Sequence, residues 1–209
     1  MRALDEYIER HSSEESALLK DITRQTNLNV LNPHMLSGRV QGRVLSMLSH
    51  MIRPKYILEL GTFTGYSALC LAEGLSADGE LHTIEHNDEL EQMIIDNFHR
   101  SEHNSKIHLH IGDALQIIST LDCTFDLVFI DADKRQYVEY YEAVLPKVPA
   151  GGFILADNTL WDGHIIDSEY DRDKQTLGLR RFNDFVAADN RVEKVILPLR
   201  DGLTIIRKL

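Results

Sequence analysis

Apolar residues recur in this chain first at helical spacing and then in short blocks bounded by glycine and acidic residues. The helical part comes first. Residues 1–27 read as helix interrupted near the middle, where Ser12, Ser13, Glu14 and Glu15 offer a capping box to a second segment carrying Leu18, Leu19 and Ile22. Beyond Pro33, Val40, Val44, Leu48 and Met51 predict a further helix that Arg53-Pro54 ends. From residue 56 the pattern alternates. Strands are expected at 56–60, 81–85, 107–111, 125–130 and 152–156, with helices at about 65–76, 88–103, 113–121 and 134–146 between them. Such alternation implies right-handed crossovers and a mostly parallel sheet covered on both faces. The end differs. Residues 192–197 and 203–207 form two strands joined by a short link containing Asp201-Gly202, so the last strand runs antiparallel. The expected fold is one α/β doubly wound domain over 1–209, with N-terminal helices in 1–53 and a seven-stranded core in 54–209. No repeat, low-complexity tract or linker divides it.

The first strand runs into a glycine turn, Glu59-Leu60-Gly61-Thr62-Phe63-Thr64-Gly65. Glycine suits a sharp turn that a ligand must approach, and the helix start behind it presents free amide donors. A phosphate loop would need Gly-Lys-Ser/Thr, and a dinucleotide fingerprint Gly-x-Gly-x-x-Gly; the spacing here is Gly-x-x-x-Gly. Two readings stay open. One is a nucleoside-type site with Glu59 facing a ligand that tolerates negative charge, and the other an ordinary strand–helix turn.

Ligands on open parallel sheets gather at the carboxyl ends of strands. Those ends are acidic throughout: Glu59 with Gly61, then Glu85, Gly112-Asp113, Asp131-Ala132-Asp133-Lys134 and Asp157-Asn158. Asp113 and Asp133, each taken alone, read first as helix caps, and it is the recurrence of acids along one edge that points to a site. Glu85 stands where an acid commonly binds ribose hydroxyls, with strand-end capping as the alternative. Asp131, Asp157 and Asn158 offer hard oxygen donors from neighbouring tips, a set suited to Mg²⁺. The histidines look scattered, without ligand spacing, which argues against zinc.

Composition narrows the partners. Against 33 acidic residues stand 22 Lys and Arg, a net charge of −11 in 209 residues, which disfavours indiscriminate binding to nucleic acid or an anionic membrane. Cys70 and Cys123 show no pairing pattern, and no apolar run is long enough to span a bilayer. With no signal-peptide pattern at the start, a cytoplasmic protein is expected.

The segments Glu-Leu-Gly-Thr-Phe-Thr-Gly-Tyr-Ser at 59–67, Ile-Asp-Ala-Asp-Lys-Arg-Gln-Tyr at 130–137, Asp-Asn-Thr-Leu-Trp-Asp-Gly at 157–163 and Leu-Arg-Asp-Gly-Leu-Thr at 199–204 together carry a resemblance. The chain from about residue 30 onward resembles the metal-dependent S-adenosylmethionine O-methyltransferases, the catechol and caffeoyl-CoA O-methyltransferase group with its bacterial relatives. The resemblance implies a Rossmann-like core in which Glu59, Gly61, Thr62 and Ser67 line the methionine part of S-adenosylmethionine. It likewise implies that Glu85 holds the ribose, Asp113 and Ala114 flank adenine, Ser37 sits over the cofactor and Asp133 reaches its amino end. Asp131, Asp157 and Asn158 match the three ligands of Mg²⁺ (or Mn²⁺ or Ca²⁺), and Lys134 matches the proposed base; a surface lysine in a first helical turn is its plain alternative. The implied reaction moves methyl from a sulfonium to a hydroxyl of a small hydroxylated aromatic, a vicinal diol such as a catechol.

Trp161 reads either as a wall for a flat acceptor or as packing on the sheet rim. The stretch 162–173, with five acids against Arg172, is expected as a solvated loop, a substrate lid being the second reading. Some bacterial relatives are thought to methylate a wobble hydroxyuridine of tRNA; here that alternative would rely on Arg39, Arg43, Arg180 and Arg181 for phosphates. The family precedent favours a homodimer.

Overall fold

The computed structural model describes residues 3–209; the helical expectation for residues 1 and 2 lies outside them. Seven strands, β1 Tyr56–Leu60, β2 Glu80–Glu85, β3 Ile107–Ile111, β4 Leu127–Ile130, β5 Phe153–Ala156, β6 Val192–Leu197 and β7 Leu203–Lys208, form a sheet in the order β3-β2-β1-β4-β5-β7-β6. β1 to β5 are parallel, and β7 runs antiparallel to both β5 and β6. The short 198–202 link leaves no room for a crossover, so the hairpin reverses the last strand.

Alternation along the strands sends two sets of side chains to two cores. Leu58, Leu60, Val128, Ile130, Ile154 and Ala156 meet α6 (Ala114–Thr120), α7 (Tyr137–Val144) and α8 (Lys174–Ala188) through Ile118, Tyr141, Leu179 and Phe182. Ile57, Leu127, Phe129 and Leu155 face the opposite layer. That layer is made by α2 (Ala17–Asn29), α3 (Arg39–Ile52), α4 (Tyr66–Ala72) and α5 (Glu91–His99), through Ile22, Leu45, Leu69 and Phe98. Helices therefore cover both faces. α1 (Ala3–His11) buries no residue. Among the described residues no helix is long and apolar enough to cross a membrane.

Three local readings change. The second helix is capped by Ser16, whose hydroxyl accepts from the Leu19 amide, so the box at 12–15 lies ahead of the true cap. α3 turns Gln41, Gly42, Leu45, Ser46 and Ser49 inward, leaving Val40, Val44 and Leu48 half-buried and Met51 exposed. Small residues win that face because α4 lies close: a Cβ on Gly42 would stand 2.7 Å from the Tyr66 ring. α8 was not anticipated at all. Its inward residues Leu179, Phe182 and Val186 have helical spacing, but polar and charged neighbours dilute the signal.

α8 packs onto the 3₁₀ turn Lys134–Gln136 at Gly178, where a Cβ would stand 2.8 Å from Arg135 Cα and closer still to the Lys134 carbonyl oxygen. Alanine raises helix propensity by about 1 kcal/mol. Overpacking against fixed backbone costs ~1–3 kcal/mol. Gly178→Ala is therefore expected to lower stability in urea unfolding; an unchanged or higher midpoint would show that the turn yields to the helix.

Candidate functional site

The turn after β1 starts at Gly61, with φ +99. A Cβ there would stand 2.8 Å from the Asp131 carbonyl carbon, so only glycine lets the ends of β1 and β4 converge. The Gly61 and Thr62 amides both donate to the Ile84 carbonyl, at 2.9 and 3.2 Å, tying the turn to β2. Phe63 adopts φ 51, and its amide donates to Glu85 Oε2 at 2.7 Å, while the Asn87 amide donates to Oε1 at 2.9 Å. Glu85 is thus aimed at the glycine turn.

A cleft of about 1290 Å³ opens over this rim. Ser37, Gly61, Thr62, Ser67, Glu85, Asp113, Ala114, Asp131, Asp133, Lys134, Asp157 and Asn158 all line it. Glu59 does not. It is fully buried beneath the turn, its Oε2 accepting from the Thr83 hydroxyl at 2.5 Å, and Thr83 is itself 2.5 Å from the Thr62 hydroxyl. Burial pushes its carboxyl up to about 8, partly countered by the Ser67 and Thr83 hydroxyls. The expected charge facing a ligand is therefore a mostly neutral acid supporting the wall from below. Asp113 and Asp133 do cap: Asp113 accepts from the Gln116 amide at 2.9 Å, and Asp133 from the Arg135 amide at 3.1 Å. Arg135 also pairs with Asp133 and lowers its carboxyl's pKa.

At the ends of β4 and β5, Ile130 pairs with Ala156, so Asp131 and Asp157 leave adjacent strands about 4.8 Å apart. Asp131 Oδ1 accepts from Lys134 Nζ at 2.7 Å; both side chains are largely buried, and the ammonium stands 5.4 Å above the Tyr137 ring. Asp157 is 2% exposed; its Oδ2 accepts from Gln41 Nε2 at 2.6 Å, and its Oδ1 has no hydrogen-bond partner. Burial first, and the Asp131 charge second, push its carboxyl up to about 7. The Tyr137 hydroxyl donates to the Asp157 carbonyl at 3.0 Å. Asn158 takes the left-handed φ of 59 that asparagine tolerates, which turns the chain over the rim.

Residues beyond the expected set close the mouth. Arg200, also left-handed at φ 48, donates to the Leu36 and Ser37 carbonyls and at 3.1 Å to Gln41 Oε1. Asp201 sits beside Asp162, and burial with that charge raises its carboxyl's pKa. Gln41 lacks any local signal, and Arg200 has only its place in the 199–204 segment. Trp161 lines the cleft and packs partly on the core.

The acidic stretch is bound in place. Arg180 from α8 donates to the carbonyls of Ile165 (2.8 Å), His164 (3.0 Å) and Asp167 (2.7 Å) and pairs with Asp171 at 2.6 Å. His164 stacks on Tyr170 at 3.6 Å. The other basic candidates are also engaged: Arg39 with the Ser12 carbonyl, Arg43 bidentate with Glu73, Arg181 with Glu139. The histidines are less scattered than the sequence suggests, since His82, His108 and His110 assemble with Glu80 on β2 and β3, away from the cleft.

A family model described as O-methyltransferase matches residues 9–209. A caffeoyl-CoA O-methyltransferase of Eucalyptus globulus is 33% identical, over 91% of this chain and 80% of its own. An O-methyltransferase from Bacillus cereus, solved in complex with SAH, superposes with TM-score 0.90 at 30% identity, covering 99% of this chain and 97% of its own. The O-methyltransferase TomG from Streptomyces achromogenes, involved in tomaymycin synthesis and solved with SAM, gives 0.91 at 28%, covering 99% and 96%.

Glu59 carries a pH signature. Its folded-state value near 8 lies above its ordinary 4.5, so its share of stability is full at low pH and lost as pH rises through about 8. Glu59→Gln removes the ionisation. Thermal unfolding of ligand-free protein from about pH 5 to about pH 9 is expected to show the variant gaining on wild type as pH rises; a constant gap would place a charged Glu59 in the folded state.

Proposed function

The chain belongs to the O-methyltransferase family, whose model spans residues 9–209, and from that footing we propose that it methylates a hydroxyl of a small catechol-like diol. The donor is S-adenosylmethionine, and a divalent cation assists. The observation that carries the cation is Asp157 Oδ1, a buried carboxylate oxygen without a partner, beside a second acid. An anion in that position favours either a proton or a cation. Asp131, Asp157 and the Asn158 amide oxygen form a hard-oxygen set for Mg²⁺, with Mn²⁺ or Ca²⁺ in the same class. When bound, such an ion eases loss of a proton from a chelated diol.

S-adenosylmethionine brings a methyl group on a cationic sulfonium. The bare backbone at Gly61 lets its methionine end approach, with Thr62, Ser67, Ser37 and Asp133 around it. Each oxygen of Glu85 holds one backbone amide and keeps lone pairs for a ribose hydroxyl. Asp113-Ala114 flank the base. Glu59 positions Thr83 and Thr62 from beneath. Lys134 Nζ, held 2.7 Å from Asp131 and 11% exposed, is the group assigned to receive the acceptor's proton, a role it fills only as the neutral amine, the form that a divalent cation bound beside it would favour. Trp161 orients the flat ring.

The acceptor follows from charge. Asp162 and Asp201 at the mouth disfavour the phosphates of a coenzyme A thioester, and Arg39, Arg43, Arg180 and Arg181 are occupied within the chain, which speaks against tRNA. The expected assembly is a cytoplasmic homodimer. Leu4 (65% exposed), Tyr7 and Ile8 on α1 and Met51 (75%) on α3 supply its apolar face.

Transfer of labelled methyl to a catechol panel, caffeoyl-CoA and bulk tRNA, with Mg²⁺ or chelator, tests the reading. Catechols are expected to be labelled in a Mg²⁺-dependent way. Asp157→Ala should lower that rate ~10²- to 10³-fold, as loss of several kcal/mol of charge stabilisation requires, while cofactor binding persists. Equal rates with chelator would refute the cation, and label in tRNA alone the acceptor. Sedimentation equilibrium should give twice the 23.9 kDa chain mass, falling to one chain in Leu4→Glu/Met51→Glu; a monomeric wild type would refute the dimer.

A further inference from the structure

Far from the cleft, the opening residues of β2 and the edge strand β3 carry a cluster that methyl transfer does not use. Glu80 and His82 stand two apart on β2, His108 and His110 two apart on β3, and His82 is in register with His108. Period-two alternation puts all four side chains on one face.

We propose that Glu80, His82 and His108 form a binding site for one transition-metal ion of the Zn²⁺ class. Glu80 Oε2 lies 3.3 Å from His108 Nε2 and 3.9 Å from His82 Nε2, and one donor atom from each residue falls within 4.8 Å of the others. Bonds of about 2.0–2.1 Å to a tetrahedral ion put its ligand atoms roughly 3.4 Å apart. One edge of that tetrahedron is therefore present. The side chains of Glu80 and His108 are 46% and 44% exposed, which leaves both room to rotate onto a shared ion. His82 is the anchor, 15% exposed and edge-on to the buried Phe125 ring at 6.1 Å.

His110 supplies orientation. Its Nε2 lies 3.1 Å from His82 Nδ1. In the tautomer where Nδ1–H donates to His110, His82 Nε2 keeps its lone pair for an ion on the Glu80 side, the way ligating histidines are usually held, and the His108 ring, stacked on His82 at 4.9 Å, turns to share that ion. Two imidazoles with one carboxylate select Zn²⁺ and its neighbours over Mg²⁺ or Ca²⁺, and a fourth position is left for water.

Glu80 begins β2 and Glu85 ends it, so five residues, about 16 Å, separate this site from the rim. The ion would act as a staple. β3 pairs with β2 alone and leads directly into Gly112-Asp113 at the cleft, so a bond across its start would hold that edge.

The test is calorimetric titration of chelator-stripped protein with ZnCl₂ in millimolar Mg²⁺, which fills hard-oxygen sites, alongside CoCl₂ followed by visible absorption. One equivalent is expected, with a rise in Tm that grows with Zn²⁺. His108→Ala and Glu80→Gln, both at half-exposed positions, should weaken binding at least 10-fold and abolish the Tm rise, and His110→Ala should weaken it about 10-fold. Circular dichroism checks that each variant folds. Zn²⁺ affinity unchanged in the Glu80→Gln/His108→Ala double variant, no binding by wild type, or binding lost in Asp157→Ala but kept in His108→Ala would overturn the site.

Discussion

At Gly61 the backbone of β1 passes so close to that of β4 that no side chain fits between them. The positive φ forced there sends the chain back across β2, where the Gly61 and Thr62 amides share the Ile84 carbonyl and the Phe63 amide reaches Glu85. The same approach fixes the first residue beyond β4, Asp131, whose amide donates to the Leu60 carbonyl at 2.8 Å. The glycine turn tied to Glu85 and the Asp131–Asp157 pair are thereby set side by side by a single missing Cβ.

Around that point the protein keeps carboxyl groups out of water, which is expensive unless they are neutral or compensated. It uses both solutions. Glu59 is held as a neutral acid among hydroxyls, while Asp131 has a lysine against it. Asp157 is intermediate, with one oxygen on Gln41 and the other bare. In this member of the O-methyltransferase family, the contrast sets one buried acid beneath the rim and two acids at its edge.

Much of the arrangement was legible along the chain because parallel strands end at one edge, and short apolar runs that stop at Glu85, Asp113, Asp131 and Asp157 announce that edge directly. What escaped shares one cause. Gln41 meets Asp157 across 116 residues and Arg200 across 159, distances at which no pattern is local. α3 was found but rotated, because its inward face is small and polar where α4 presses on it. His82, His108 and His110 are ordinary alternating positions until strand pairing puts β2 beside β3. The acidic stretch looked unbalanced because Arg180, its counterweight, belongs to a helix the pattern had hidden.

Arg200 fastens the segment just ahead of α3 to the link between β6 and β7, and that has a consequence in time. During synthesis the first five strands emerge and can pair while β5 still lacks β7 at its side. Arg200 bonds the Leu36 and Ser37 carbonyls and Gln41, the partner of Asp157, so the cover beside Asp157 is completed only when the late β6–β7 hairpin has joined the sheet.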